Sequence, residues 1–170
     1  MIVDWIIDRA KGRAPDSQIG GAEHPYRNRW WLIPRNRWFN IYLHQFVRDD
    51  DDRALHDHPW LNCSIILRGA YTEIVFVKPP LRPRDGADGL TPSTVEVARR
   101  LLRPVFRRPA TAHRVTLPRD ANNQPIPCWS LFLTGPTIRQ WGFWCPRGRW
   151  VHWRDFTAGD RGEIVGRGCE

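Results

Sequence analysis

Apolar and polar residues alternate along several short stretches of the chain, which is the pattern of β-strands with one buried face. The clearest case is residues 112–117, where His113, Val115 and Leu117 fall on one face with polar residues between them. Aromatic and β-branched residues, which favour strands, are concentrated in residues 38–46, 61–67, 70–77 and 128–134. The alternation predicts an all-β domain, a sandwich or a barrel.

The remaining stretches predict one short helix and several loops. Residues 1–11 fit an amphipathic helix with Ile2, Trp5 and Ile6 on its buried side, and residues 12–28 are predicted to be a loop. The barrel is expected over residues 29–158, followed by a tail over 159–170. Gly and Pro predict a hairpin at Arg68-Gly69, another turning at residues 146–148, and a long loop over 78–94.

The positive charge changes this picture little. The formal net charge is +8, but 24 of the 26 basic residues are Arg, which we interpret as the coding bias of a GC-rich genome. Nucleic acid is therefore not an expected partner. One dense basic patch stands out, and we interpret it as a solvated face, with anion binding as the alternative: Arg99, Arg100, Arg103, Arg107 and Arg108.

The N-terminus and the cysteines bear on location. Asp4 and Asp8 interrupt the first apolar run, so we expect neither a signal peptide nor a membrane segment there. The four Cys, at positions 63, 128, 145 and 169, form no C-x-x-C pair, and we expect reduced thiols in a cytoplasmic protein. A small-molecule substrate and a homodimer are the expected partners.

The sharpest chemical signal is His56-Asp57-His58. Residues two apart on a strand point to the same face, so this H-x-H pair directs two imidazoles toward one point. Imidazole binds Fe, Zn, Ni, Cu and Mn to differing degrees. His113, on the well-patterned later strand, is the candidate third ligand. The alternative is a hydrogen-bonded turn that closes a barrel without a metal.

The spacing His56, His58, Asn62, Gly69 resembles the first motif of the cupin family, in which H-x-H is followed by Glu and then by Gly. Residues 108–113 loosely resemble the second cupin motif, which ends in the further His; its usual Gly is Ala110, and its trailing Asn is Leu117. Residues 141–153 also resemble a group of uncharacterised bacterial cupin-like proteins, some of them phage-associated. The resemblance implies a double-stranded β-helix barrel (jelly roll) that binds one divalent ion on His56, His58 and His113.

Asn62 stands where the cupin motif has Glu, and its neutral carbonyl is a poor ligand for Fe or Zn. Three-His iron centres occur in some thiol and diketone dioxygenases of the cupin group, so the resemblance implies a non-haem Fe(II) dioxygenase-like enzyme for a small organic acid or thiol. Zn²⁺, Ni²⁺ or Mn²⁺ are the alternative ions. Asn62 is then a candidate for hydrogen bonding to a metal-bound water or substrate.

The other candidates have structural alternatives. Arg68 shares strand parity with Asn62, so it either points inward to pair with a substrate anion or outward into solvent. His44 is expected to be a satisfied core or rim residue, and Asp57 either a surface contact or a group that orients an imidazole. The 10 Trp favour core packing or a dimer face.

Two other classes of function stay open. One is a metal- or ligand-binding cupin without turnover, which Asn62 and the loose second motif favour. The other is a phage-associated structural or interaction protein that uses the Trp-rich C-terminal region.

Overall fold

Two six-stranded antiparallel sheets face each other in the computed structural model, which describes residues 2–20, 24–50, 54–76, 93–158 and 164–170. The helices are α1 (Ile2–Lys11), α2 (Trp153–Phe156) and a 3₁₀ turn (Pro146–Gly148). The strands are β1 (Ser17–Ile19), β2 (Arg27–Trp31), β3 (Asn40–Phe46), β4 (Leu55–His56), β5 (Asn62–Arg68), β6 (Thr72–Phe76), β7 (Thr94–Ala98), β8 (Pro104–Arg107), β9 (His113–Thr116), β10 (Cys128–Thr134), β11 (Gly142–Trp144), β12 (Trp150–His152), β13 (Thr157–Ala158) and β14 (Ile164–Val165).

The strand order is that of a jelly roll. The first sheet runs β1-β2-β3-β10-β5-β8 and the second runs β12-β11-β4-β9-β6-β7, while β13 and β14 form a separate pair. The eight strands β3 to β10 are thus divided into β3-β10-β5-β8 and β4-β9-β6-β7, the arrangement of two interlocked Greek keys. The predicted all-β jelly-roll fold with a short N-terminal helix is confirmed.

Helix α1 covers the outer face of the first sheet. Ile7 and Ala10 pack against Trp30, Leu43 and Trp129, and the two indoles stack with ring centroids 5.4 Å apart. The predicted buried side of the helix is partly wrong, because the side chains of Ile2 and Trp5 are 77% and 65% exposed. The sheet lies under the Ile7–Ala10 stripe instead, with Val3 and Ile6 at its border.

The inner faces of the two sheets enclose the barrel. A buried cluster of Phe46, Ile66, Tyr71, Val115, Leu117 and Cys128 fills one part of the interior. Polar side chains occupy the rest, and they include His44, Ser64, Glu73, Arg107 and Ser130. A barrel interior with this many buried polar groups needs a network of partners, because an unpaired buried polar group is costly.

Two local predictions are wrong. Strands β5 and β6 do not form the hairpin expected at Arg68-Gly69, because β5 belongs to the first sheet and β6 to the second. Gly69 instead allows the chain to pass between the sheets: its φ is +83°, and a Cβ there would lie 2.8 Å from the carbonyl oxygen of Pro127. The loop expected over 12–28 contains β1, which pairs with β2.

The C-terminal region contains the predicted final hairpin, since β11 pairs with β12 across the Pro146–Gly148 turn. It also contains a disulfide between Cys145 and Cys169, so the expectation of four reduced thiols is wrong for this pair. Cys63 and Cys128 are free and buried. A hydrophobic cluster of Ala54, Phe143, Cys145 and Phe156 packs beside the disulfide.

Positions 78–92 of the predicted long loop lie outside the described residues, as does position 77 at the end of the predicted strand over 70–77. The tryptophans mostly pack, since among those described only Trp5 and Trp38 are exposed. Neither helix in the described part of the chain has the length and apolar character needed to cross a membrane.

Candidate metal centre

Three histidines from two strands and one adjoining turn converge inside the barrel. Cα pairing sets His56 of β4 directly opposite His113 of β9, and the chain continues from β4 to His58. All three side chains are buried. The ring centroids form a nearly equilateral triangle, with His56–His58, His56–His113 and His58–His113 separations of 5.2, 5.0 and 5.1 Å. The structure therefore brings the three predicted ligands together.

The spacing of the nitrogen atoms suits one ion. One ligand nitrogen from each ring lies within 4.8 Å of the others, and the Nε2 atoms of His58 and His113 are 2.9 Å apart. A metal–nitrogen bond of about 2.1 Å implies nitrogens about 3.0 Å apart for ligands at right angles and about 3.4 Å for a tetrahedron. The His58–His113 distance is closest to the right-angled case, so these groups could bind one metal ion with positions left open.

Glu73 of β6 fixes the orientation of one ligand. It is fully buried, and its Oε1 lies 2.7 Å from Nδ1 of His113. An ionised carboxylate only accepts hydrogen bonds, so Nδ1 of His113 carries the proton and donates. The lone pair of His113 is then on Nε2, the atom that faces His58. A carboxylate behind a histidine in this way is the usual support of a metal-binding imidazole.

The charge states favour metal binding at neutral pH. Burial alone would raise the pKa of Glu73, but the hydrogen bond from His113 and the charges of Arg107 and Arg99 outweigh it and lower the pKa to about 2. Burial lowers the pKa of His113 to about 4 although Glu73 opposes the shift, and burial also lowers the pKa of His58. Glu73 is therefore ionised at pH 7, and both imidazoles are neutral, as ligands must be.

Arg107 of β8 completes the network around Glu73. Its guanidinium pairs with the Glu73 carboxylate and donates to the hydroxyl of Ser64 at 2.9 Å. Arg99 pairs with the other carboxylate oxygen of Glu73. Two members of the basic patch predicted to be a solvated face thus point to the site, and that interpretation is wrong for Arg107, which is buried.

His44 is a fourth buried imidazole in the same interior, and it is already engaged. Nε of Arg29 donates to Nε2 of His44 at 2.9 Å, so the proton of the neutral ring is on Nδ1. The ring stacks on Phe132 with centroids 5.0 Å apart. The described structure therefore agrees with the prediction that His44 is a satisfied core residue rather than a fourth ligand.

Asp57, between two of the ligands, is a structural anchor. It is fully buried and accepts hydrogen bonds from the backbone N–H of Gly142 at 2.9 Å and from Nε1 of Trp150 at 3.2 Å. It also pairs with Arg139 at 3.0 Å. Both roles weighed for Asp57, a surface contact and a group that orients an imidazole, are wrong, since it fastens β11 and β12 to the H-x-H segment.

Asn62 and Arg68, the two predicted catalytic residues, have different positions. Asn62 is buried on the inner face of β5, where its Oδ1 lies 3.4 Å from Nη1 of Arg107. Its Nδ2 has no hydrogen-bond partner among the described residues. Asn62 is not among the residues that line the cavity at the three histidines, and it contacts Arg107.

Of the two positions weighed for Arg68, the structure has the outward one. Arg68 lies outside the barrel and pairs with Asp4 of α1, both side chains being about half exposed. The cause is a register shift where β5 pairs with β10: Ser130 pairs with Ile66 and Trp129 with Arg68, so Leu67 is the extra residue of a β-bulge. The bulge reverses the parity that places Asn62, Ser64 and Ile66 on the inner face.

The cavity next to the histidines is small. Its volume is about 20 Å³, enough for an ion or a water molecule but not for an organic substrate in this conformation. Its polar and charged lining residues, in addition to the three histidines, are Arg27, His44, Asp50, Ser64, Tyr71, Glu73, Arg107 and Ser130.

Glu73 and Arg27 were not identified from the sequence, and Arg107 was named only as a member of the basic patch. A signal for Glu73 exists, because it is a lone carboxylate in an apolar strand, on the same face as Tyr71 and Val75. Arg107 shares the inner face of β8 with Val105, which pairs with the inward Ser64. Arg27 carries no comparable signal in the sequence.

Comparisons with known proteins find similarity in structure but not in sequence. No family model matches the chain, and no curated protein is detectably similar in sequence. The DMSP lyase DddQ from Ruegeria pomeroyi is 14% identical with a TM-score of 0.47 over 81% of this chain and 61% of that one. The polyketide cyclase RemF from Streptomyces resistomycificus is 16% identical with a TM-score of 0.46 over 72% of both chains.

A third similar structure is the hydroxypropylphosphonic acid epoxidase from S. wedmorenis, 13% identical with a TM-score of 0.47 over 72% of this chain and 57% of that one. The chain thus spans about three fifths of the length of the lyase and of the epoxidase. At these identities and scores the likeness concerns overall shape, and the site is interpreted from its own residues. These residues define a jelly-roll barrel with a buried three-His cluster that could hold a metal ion.

Proposed function

We propose that the protein is a metal-dependent cupin enzyme that binds one divalent ion on His56, His58 and His113, with Fe²⁺ as the first candidate. The enzyme oxidises a small organic acid or thiol with O₂. The observation that carries the proposal is the convergence of three buried imidazoles, one of them fixed by Glu73 with Nε2 toward the centre. A divalent ion bound there supplies a Lewis acid with open coordination positions.

The residues of the chain have separate tasks in this proposal. Glu73 keeps the proton of His113 on Nδ1, and Arg107 and Arg99 keep Glu73 ionised. Phe132 packs 5.9 Å from the ring of His58, and Phe143 packs 5.9 Å from that of His56, so both aromatic rings exclude water from the ligands. Asn62 offers a buried donor for which the described residues supply no acceptor.

Metal analysis tests the ion assignment. We expect protein purified without a metal-binding tag to carry about one first-row ion per chain, and His58→Ala to lose it. His44→Ala is the matched control, because His44 is equally buried in the same interior but its Nε2 is occupied by Arg29. Equal metal content in His58→Ala and the wild type would remove the basis of the proposal.

Oxygen consumption tests the enzyme assignment. The Fe²⁺-loaded protein is screened with small carboxylic acids and thiols, and His58→Ala serves as the inactive control. Substrate-dependent oxygen uptake by the wild type alone supports an oxygenase. No uptake across the panel, with iron bound, would refute it.

A second candidate function is a binding cupin without turnover, and the cavity volume of about 20 Å³ favours it. In that case the ion only stabilises the fold, and the barrel does not open for a substrate. The expected signs are a metal-dependent rise in melting temperature and no oxygen uptake.

A further inference from the structure

Two arginines of β2 bring positive charge to the inner face of the first sheet. Arg27 pairs in register with Phe46 of β3, and Arg29 pairs with His44. Side chains of directly paired residues lie on the same face of a sheet, and His44 and Phe46 line the cavity. Arg27 therefore points to the cavity from the side of the barrel occupied by His44.

The guanidinium of Arg27 is held in place without a carboxylate partner. It lies 5.6 Å from the ring centroids of both Tyr26 and Phe46, a cation–π arrangement. Its Nε is buried and has no hydrogen-bond partner, and no carboxylate forms an ion pair with it, among the described residues. By contrast, Arg29 donates to His44, and Arg107 pairs with Glu73.

The positive charge of Arg27 contributes to the lowered pKa values of two histidines in the barrel. Burial is the main cause of the lowered pKa of His44, and the charges of Arg29 and Arg27 add to it. For His58, burial, the other two cluster histidines and Arg107 come first, and Arg27 adds a smaller effect. Arg27 and the three-His cluster thus face the same small space.

The charge balance of this space calls for an anion. Arg27 and Arg107 among the cavity residues are balanced by Glu73 and Asp50, and Arg29 and Arg99 add positive charge directly behind the lining. A divalent ion on three neutral imidazoles brings two further positive charges and no anionic ligand. Buried charge without compensation is strongly unfavourable, so a ligand that supplies negative charge is favoured there.

We propose that the barrel binds a small carboxylate between Arg27 and the three-His cluster, with Arg27 as the residue that selects for the anion. The proposal rests on the proposed metal site for one of its two attachment points, while Arg27 is the other. A carboxylate matches the planar guanidinium in geometry and charge. Because the cavity is small, formate, the smallest carboxylate, is the first probe.

The test is a calorimetric titration of formate into wild-type and Arg27→Met protein, each with and without bound metal, at constant ionic strength. Methionine keeps an unbranched side chain over Phe46 and removes only the charge and the donors. We expect at least a tenfold weaker formate affinity in Arg27→Met, with unchanged metal content. Formamide, which is neutral and of similar size, should not bind to the wild type.

Arg114→Met is the matched control. Arg114 follows the ligand His113 directly, but it alternates to the opposite face of β9, so its removal changes the net charge equally from outside the barrel. We expect less than a twofold change in formate affinity. Equal formate affinity in the wild type and Arg27→Met, or equal losses in Arg27→Met and Arg114→Met, would overturn the role of Arg27.

The titrations also separate this inference from the proposed function. If the wild type holds no metal, the proposed function fails, whereas an Arg27-dependent formate affinity of the metal-free protein still supports the anion site. A second titration with lactate distinguishes the source of the carboxylate. Competition of lactate with formate indicates the carboxylate of an organic acid, and binding of formate alone indicates a small free anion.

Discussion

Glu73→Gln is the substitution that examines the candidate centre most directly. Oε1 of Glu73 accepts hydrogen bonds from His113 and Arg107, and Oε2 accepts one from Arg99. In the variant the amide oxygen is expected to face His113 and Arg107, because both are donors, which leaves the amide NH₂ toward Arg99. The proton stays on Nδ1 of His113, so the substitution removes the negative charge behind the ligand while it preserves the tautomer.

The expected loss of metal affinity follows from the removal of this negative charge. Loss of the partner behind a metal-binding histidine typically weakens metal affinity by about 10- to 100-fold, or about 1.4 to 2.8 kcal/mol. The assay is competition for Zn²⁺ or Co²⁺ against a chelator of known affinity, at a temperature where circular dichroism shows the variant folded. Arg107 loses its charged partner as well, so a lower melting temperature is expected.

Two companion variants keep the experiment decisive. Arg99→Gln removes one partner of Glu73 but leaves its contact with His113, so metal affinity should change by less than about threefold. Glu73→Gln combined with Arg107→Met removes the uncompensated Arg107 charge and restores stability, should the single variant fold poorly. A folded Glu73→Gln protein with wild-type metal affinity would refute the assignment of Glu73 to His113.

Three further predictions concern pH, the disulfide and Arg68. The folded-state pKa of His113, about 4, lies below its usual 6.5, so the unfolded chain binds more protons between these values. The free energy of unfolding of the metal-free protein should therefore fall by about 3 kcal/mol through His113 as the pH falls from 6.5 to 4, and further through Glu73 between pH 4.5 and 2. Urea unfolding checks this, and a free energy of unfolding that does not change between pH 7 and pH 4 contradicts it. Cys145→Ser should lower stability by about 3 kcal/mol, given the separation of 24 residues between the paired cysteines, and reductant should produce the same drop in melting temperature in the wild type only. Arg68→Met should leave metal content unchanged and alter stability by less than about 1 kcal/mol, because its pair with Asp4 is exposed; loss of metal would contradict the outward position.

The fold was predictable because its signals are local. The alternation over residues 112–117 appears as β9 with the expected inward face, and the aromatic run that ends at Phe46 appears as β3. The wrong hairpin at Gly69 shows the limit of such signals. A glycine with positive φ serves a tight hairpin and a crossing between sheets equally well, and only the long-range pairing of β5 with β10 separates the two.

The site was half predictable for a related reason. The three histidines were found because H-x-H is a local pattern and the third lies on a strongly alternating strand. Strand parity alone could not give the position of Arg68, because a bulge at Leu67 changes that parity and no residue type there indicates a bulge. The Cys145–Cys169 pair was missed because its residues are brought together by the fold of the C-terminal region, which contains α2 and the β13–β14 pair, rather than by a spacing motif.

The position of the negative charge connects these observations. The family pattern implies a carboxylate at the place of Asn62, where it would bind the ion directly, but here the carboxylate that contacts the cluster is Glu73, on β6 of the other sheet and behind His113. A carboxylate in that position orients a ligand without filling a coordination position, and its charge is already shared by Arg107 and Arg99. The ion would then keep most of its positive charge toward the cavity. An anionic ligand beside Arg27 is the natural complement of such a centre, because it supplies the charge that the ligand shell lacks.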